Sequence, residues 1–439
     1  MGSNPPLRVV IVGGGIAGLA LAAGLAKKSH LGVHVYESAT VYRDVGAGLA
    51  LHLNAIKAMS LIGAEVRRAY LDKATSMVCE EDEELATQVI LAQGPHTGEL
   101  VAELGRAKGR KSVSRADLLE GLRGLVPPEC LSLGKKLKQL FKEGNGAVTL
   151  EFEDGTSAEA DCVLGADGIH SVVREYLLGA DHPATKPKNH DRWQVYRTLV
   201  SMEEAKRFID ERYMRTVPIL LGPRGHINCI PLNRGQRLSA GVAVRGAAVD
   251  DLGAGPDDSG DSKPLDPGLY VDYSEDAQRI VGLVARDTSA SWSVGDHDHA
   301  PFYSRGRVAM IGDAAHASLP FAGNGAAQAL EDAAVLDHLF GRVETPSQVE
   351  AAFLAYDTVR RPRSQTVVNL ARAFGRVYAY AEGNMHENPQ KMREFFAGAA
   401  KFTNEADIKK QNDDAMDVYE DLIRGGSRAK PEGTKNLPN

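Results

Sequence analysis

Six residues near the N-terminus, Gly13-Gly14-Gly15-Ile16-Ala17-Gly18, have the spacing of a phosphate-cradling turn, G-x-G-x-x-G. In such a turn Gly13 allows the sharp bend and Gly15 lets backbone approach a pyrophosphate. Gly18 lets the following helix pack against the preceding strand. The free N–H groups at the helix start then point at the phosphates. Glu37, nineteen residues after Gly18, supplies an acid able to hydrogen-bond a ribose 2′-OH, which disfavours a 2′-phosphate. A glycine pattern alone is weak; strand, helix and acid in register lead to the expectation of a dinucleotide site. NAD and FAD both fit this unit.

Other chemistry-bearing residues are more ambiguous. Residues 193–200 alternate as a strand, so Tyr196 and Arg197 face opposite sides. Arg197 is either a surface arginine or a cation set in a pocket, and composition alone favours the surface. His226 shares a strand face with Asn228 and Ile230, where a lone histidine is more often a core residue than a catalyst. Asp296-His297-Asp298-His299 has metal-ligand residue types, yet alternate residues on a loop before Pro301 rarely converge, so no metal is expected. Cys79, Cys130, Cys162 and Cys229 form no C-x-x-C pair, zinc spacing or disulfide framework. That pattern points to a reducing compartment and a cytoplasmic location.

The elements that must position these groups follow from periodicity. Residues 7–12 read as a buried parallel strand, 19–29 as an amphipathic helix ending in Lys27-Lys28, and 33–36 as the next strand. The uncharged run 9–26 is broken by glycines and is no membrane span. From 186 to 245 come short alternating strands, at 193–200, 217–221, 226–232 and 238–244, with glycine turns between them. They predict a mostly antiparallel sheet. Residues 246–268 read as a surface loop, 370–423 as C-terminal helices and 424–439 as a disordered tail. Tyr356, Arg360, Arg361 and Arg363 fall on a helical stretch and read as an inter-domain salt-bridge face. The 439-residue chain suffices for two domains, and its net charge of -7 argues against nucleic acid and anionic membranes as partners. Its 45 glycines, about 10% of the chain against a usual ~7%, suggest local backbone tasks.

Two later segments decide between the dinucleotides. Asp161-Cys162-Val163-Leu164-Gly165-Ala166-Asp167-Gly168, running on to Arg174, resembles the "DG" motif of the group A flavin monooxygenases. Gly306-Arg307-Val308-Ala309-Met310-Ile311-Gly312-Asp313 resembles their second FAD motif, which continues through Pro320 and Ala326 to Glu331-Asp332-Ala333. Residues 43–48 with Asn54-Ala55, and Ser114-Arg115-Ala116-Asp117-Leu118-Leu119, resemble two further family segments. The likeness runs in order from residue 7 to about 365. It is to FAD-dependent aromatic monooxygenases of the para-hydroxybenzoate hydroxylase superfamily, and within them to fungal salicylate hydroxylase-like enzymes and polyketide phenol hydroxylases.

That resemblance implies an α/β fold with a Rossmann-like FAD-binding domain (1–78, 106–182 and 300–365). A mostly antiparallel β-sheet substrate domain (79–105 and 183–299), C-terminal helices (366–424) and a disordered tail (425–439) complete it. It implies FAD contacts at Gly13, Gly15, Gly18, Glu37, Gly48, Ala50, Arg115, Asp167, Asp313, Pro320, Gly323, Gly325 and Ala326. Asp313 would accept from ribityl hydroxyls, and the helix opening near Ala326 would turn its positive end to the flavin pyrimidine. Arg197 would anchor a phenolate or carboxylate. His226 would relay protons, titrating near neutrality. The reaction implied is hydroxylation of a small phenolic aromatic, a salicylate-like acid or polyketide phenol, with O2 and a transiently docked NADH or NADPH, through a C4a-hydroperoxyflavin. Ile230 stands where dearomatising relatives carry tyrosine, and Asn324 where the family often has glutamine. Oxidative dearomatisation and alkene epoxidation are rival outcomes; a non-catalytic binding protein on a flavoprotein scaffold is a rival of another class. Neither the W-x-W-x-I-P motif of flavin halogenases nor the cysteine pair of disulfide reductases is present. The residues leave the oligomeric state open.

Overall fold

The computed structural model describes residues 5–42, 48–77, 84–142, 144, 146–247 and 264–425. Residues 43–47 of the 43–48 segment, Cys79, residues 248–263 and the tail beyond 425 lie outside the described residues. Apolar, β-branched residues form β1 (Leu7–Val12), and the glycine turn leads through α1 (Ile16–Leu25) to β2 (Leu31–Tyr36). After α2 (Leu53–Ile62) the chain leaves for an antiparallel pair, β3 (Glu84–Leu91) and β4 (Leu100–Lys108). It returns through α3 (Arg115–Arg123) to β5 (Cys162–Gly165). Ser114 starts α3 as its N-cap, its Oγ accepting from Asp117 N at 2.9 Å. A second excursion makes β6 (Gln194–Ser201), β7 (Val217–Gly222), β8 (Gly225–Leu232), β9 (Arg237–Val244), α4 (Glu275–Ala285) and β10 (Ser291–Ser293). The chain then closes with β11 (Val308–Met310), α5 (Gly325–Phe340), α6 (Val349–Tyr378), α7 (Pro389–Asn404) and α8 (Ile408–Ile423).

Two large sheets result. In one, β11, β5, β1 and β2 lie side by side and parallel, with short strands at either edge. The other runs β10-β6-β9-β8-β7-β3-β4 and is antiparallel except between β7 and β3. This is the α/β class with a mostly antiparallel second sheet, and its four expected strands at 193–244 fall within one residue of β6 to β9. Two expectations about the first helix need correcting. α1 begins at Ile16, so Gly18 lies inside the helix. Nor is α1 amphipathic: Ala17 through Leu25 are all buried, because α3, α5 and the sheet enclose it. Further on, α6 runs as a single helix across residue 365, where the family likeness implies a domain boundary.

The parallel sheet and its helices share one apolar core, with Val9, Ile11, Leu19, Leu330 and Phe353 fully buried. The antiparallel sheet has a core on each face. Tyr196, Ile227 and Val242 pack against Ile280 and Val284 of α4 on one side. Trp193, Val195 and Leu221 pack against Phe321, Phe374, Tyr378 and Phe396 on the other. Alternation along β6 to β9 thus divides two apolar faces, one against α4 and one against the C-terminal helices. Among the described residues no helix is long and apolar enough to cross a membrane.

Candidate active site

Because β11, β5, β1 and β2 are parallel, their C-terminal ends line one edge, where open α/β sheets bind ligands. The segments leaving that edge are the four sequence motifs: Gly13–Gly15, Glu37, Ala166-Asp167 and Gly312-Asp313. Gly13 has φ +106°, and a Cβ there would sit 2.2 Å from Ala166 O. A Cβ on Gly18 would lie 2.0 Å from Gly13 O. A side chain at either position would force turn, helix and DG segment apart. A Cβ on Gly15 meets nothing within 4 Å, so that face is open. The first turn of α1 has no side-chain cap and no acid, leaving its N–H groups for an anion.

Glu37 closes the turn. Its Oε2 accepts from Gly14 N at 2.6 Å and its Oε1 from Ala39 N at 2.7 Å. Tyr42 donates to Gly14 O at 3.0 Å, its phenol pushed up to about 12 mainly by burial, with Glu37 adding to it and the nearby charges of Arg123 and Arg115 opposing it. Arg115 itself is exposed at the start of α3. Asp167 turns inward: Oδ1 accepts from Ser171 Oγ at 2.5 Å and Oδ2 from Val173 N at 3.1 Å, stapling the DG segment to the next helix. Burial raises its carboxyl above the ordinary range despite these bonds.

Further along the same edge, Asp313, Pro320 and Gly323 are exposed, and Gly325 and Ala326 half-buried. Asn324 provides no side-chain cap to α5, whose first turn carries no acid. Opposite this end, a Cβ on Gly48 would lie 2.7 Å from Leu232 Cδ2, and Ala50 and Ile230 pack on one small cluster with Met77, Leu85 and Val217. Glycines open to space, two helix starts with neither side-chain cap nor first-turn acid, and an exposed acid after β11 fit an extended dinucleotide, FAD.

A buried ionic network supports the Gly312 loop. Arg360 of α6, fully buried, donates from Nε to Asp332 Oδ1 at 2.8 Å and from Nη1 to Glu331 Oε2 at 2.6 Å. Arg363 Nε adds a bond to Glu331 Oε2 at 2.7 Å. Asp332 Oδ2 accepts from Gly312 N at 2.9 Å and lies 2.6 Å from His316 Nε2. Burial opposes ionisation of both carboxyls, but the neighbouring cations outweigh it and hold them below their usual range. Arg361 pairs with Asp357, and Tyr356 donates to Met310 O at 3.1 Å. The salt-bridge face expected here is an interior one, and it ends on the Gly312 loop.

The second sheet presents the substrate candidates. In register, Arg197 lies opposite Gly241, Gly241 opposite Asn228 and Asn228 opposite Ile219; Val195, Ala243, His226 and Leu221 form the adjacent row of the same face. Arg197 and His226 therefore share a face, on β6 and β8 with β9 between. Arg197 Nε is buried without a partner among the described residues, and the guanidinium carbon lies 5.5 Å from the Trp292 ring centroid. Burial draws its pKa below the ordinary value. His226 packs against Phe321 (5.1 Å between ring centroids) and Tyr378 (4.9 Å), with Nδ1 unpartnered among the described residues. Burial lowers its pKa to about 3, away from the titration near neutrality expected of it.

Sequence reasoning missed Trp193 and Tyr378. Trp193 is wholly buried with Nε1 unpartnered among the described residues, and its ring centroid lies 4.5 Å from that of Phe321. No local signal marks Tyr378, which reaches the sheet from α6. Each of the Asp296–His299 side chains has a partner of its own, Arg372, Ile169 O, Lys188 and Asn369 in turn, and His190 Nε2 lies against both Asp296 (3.6 Å) and Asp298 (3.1 Å).

A family model described as FAD binding domain matches residues 135–371, more than half of the chain. A 6-methylsalicylate 1-monooxygenase of Aspergillus terreus is 36% identical over 434 residues, covering 96% of this chain and 94% of that protein. A salicylate hydroxylase of Pseudomonas putida is 32% identical over 403 residues, covering 89% and 90%. Among solved structures, a salicylate hydroxylase substrate complex superposes with a TM-score of 0.78 at 29% identity, covering 94% of this chain and 98% of that one. Strand-end motifs, an open glycine-lined edge and likeness over nearly the whole length agree: the chain belongs to the FAD-dependent aromatic monooxygenases, alongside the salicylate hydroxylases.

Proposed function

We propose that this chain hydroxylates a phenolic aromatic acid of the salicylate class, using O2 and electrons from NADH or NADPH. The observation that carries this reading is Arg197, a half-buried arginine whose Nε is buried and has no partner among the described residues, on the sheet face that faces the Pro320 turn. A cation drawn largely out of water without a carboxylate beside it calls for an anionic ligand. The relatives named above act on salicylate and 6-methylsalicylate, each a ring bearing carboxylate and phenol.

The start of α1 with Gly13, Gly15 and Gly18 would take the pyrophosphate of FAD, Glu37 a ribose hydroxyl and Asp313 the ribityl chain. Gly323, Gly325, Ala326 and the start of α5 would face the flavin pyrimidine, with Gly48, Ala50 and Pro320 bordering the ring. Arg115 would add charge at the phosphates, and Asp167 would hold the DG segment against the turn. When bound, FAD carries electrons from the nicotinamide and activates O2.

The remaining tasks fall to the protein's own side chains. Arg197 would hold the substrate's carboxylate, and its positive charge would lower the pKa of the phenol beside it and so favour the electron-rich anion. Trp193, Leu319, Phe321 and Tyr378 would exclude water from the reacting face. His226, neutral at physiological pH, would offer one hydrogen bond at Nδ1 without adding charge. The purified protein should be yellow and should oxidise NAD(P)H faster when salicylate is added. Arg197→Ala should keep FAD yet lose that stimulation. A colourless protein overturns the reading, and an unchanged KM in the variant removes Arg197 from the pocket. Epoxidation of a neutral alkene would need no anionic anchor, so the same variant separates the two reactions.

A further inference from the structure

We propose that Asn228 is a second substrate-binding residue: its carboxamide takes the phenol oxygen of the ring whose carboxylate Arg197 takes. This rests on the functional reading above and extends it to what distinguishes one aromatic acid from another.

Register places the pair. Arg197 on β6 and Asn228 on β8 stand in one row, separated only by Gly241 of β9. Two strand spacings put their Cα atoms roughly 10 Å apart. Gly241 supplies no side chain to fill that gap, and a Cβ there would lie 2.7 Å from Asn228 Oδ1. The carboxamide therefore lies over the β9 backbone, leaning toward Arg197. It is half-buried and has no hydrogen-bond partner among the described residues.

Neighbours on the same strand give its place in the site. Two residues one way, Ile230 packs on the cluster that also holds Ala50 of the first loop. Two residues the other way, His226 packs against Phe321 beside Pro320. Asn228 thus stands midway between the two segments that border the expected flavin ring. One substituted ring can bridge from its carboxamide to the guanidinium.

The chemistry is complementary. Arginine only donates, which suits a carboxylate. A carboxamide both donates and accepts, so it can take O–H from a phenol at Oδ1 and donate from Nδ2 to a phenolate. An acid without the hydroxyl leaves that carboxamide unpaired, and sites built to hydrogen-bond a hydroxyl discriminate against ligands that lack it.

The test titrates the FAD-loaded enzyme with salicylate and with benzoate, following the flavin absorbance change. Wild type should bind salicylate more tightly than benzoate. Asn228→Leu should weaken salicylate about tenfold, the worth of one such hydrogen bond, and leave benzoate unchanged. Asn228→Ser, too short to reach, and Gly241→Ala, which displaces the carboxamide, should give the same split. In turnover the loss should fall on KM for salicylate more than on kcat. Equal losses for both acids, or none, overturn the proposal. A wild type that binds both acids equally overturns it while leaving the substrate class standing. A wild type that binds neither overturns the substrate class, and this proposal with it.

Discussion

Burial takes from His226 the water that would stabilise its charged form, and its neighbours are the rings of Trp193, Phe321 and Tyr378. In the folded protein it binds a proton only near pH 3, whereas in the unfolded chain it does so near 6.5. Between those values the unfolded state holds the extra proton, so stability is complete above about 6.5 and falls as pH drops toward 3. The slope from this one group is at most about 1.4 kcal/mol per pH unit. Urea midpoints at pH 7 and pH 5 should therefore fall more steeply in wild type than in His226→Leu. Equal slopes would mean that the ring is solvated. Arg197 is different, since it holds its charge half out of water with no carboxylate paired to it among the described residues.

At the scale of elements, α5 and α6 are joined by charges sealed from solvent. Glu331 and Asp332 are adjacent on α5, and they ionise together with Arg360 between them and Arg363 beside Glu331. Removing one partner of such a set costs about 3–5 kcal/mol, because the remaining charges stay buried. Arg360→Leu should lower the thermal midpoint sharply. Asp332 also holds Gly312 N, so Asp332→Asn should loosen the loop that carries Asp313. FAD release, read from the rise in free-flavin fluorescence on dilution, should then occur at higher protein concentration than in wild type. Unchanged FAD retention in Asp332→Asn would show that the loop holds its shape without the carboxylate.

At the scale of the molecule, the C-terminal helices wall one face of the antiparallel sheet. Phe374 and Tyr378 of α6 and Phe396 of α7 pack in one aromatic cluster with Trp193 and His226 beneath it. Phe396→Ala removes a buried ring of that cluster, at about 3–5 kcal/mol for a large-to-small core change. Partial collapse should let water reach the reacting face. The expected outcome is a lower ratio of hydroxylated product formed to NAD(P)H consumed, measured by chromatography beside absorbance at 340 nm. A full ratio with reduced stability would confine Phe396 to packing.

The sequence by itself determined what is local. A G-x-G-x-x-G turn between a β-branched run and a helix needs no distant contact to be recognised, and two-residue alternation marks β6 to β9 to within one residue. Motif order carried the cofactor, because each motif follows a strand end and parallel strands bring those ends together. Tertiary structure decided what depends on partners far along the chain. α1 is buried all round only because α3 and α5 close over it, and Arg360 becomes an interior cation only because α5 supplies two acids. The convergence of Arg197, Gly241 and Asn228 depends on the register of three strands. A shift of one residue would turn each of them to the opposite face, and no pattern within a single strand records which register is taken.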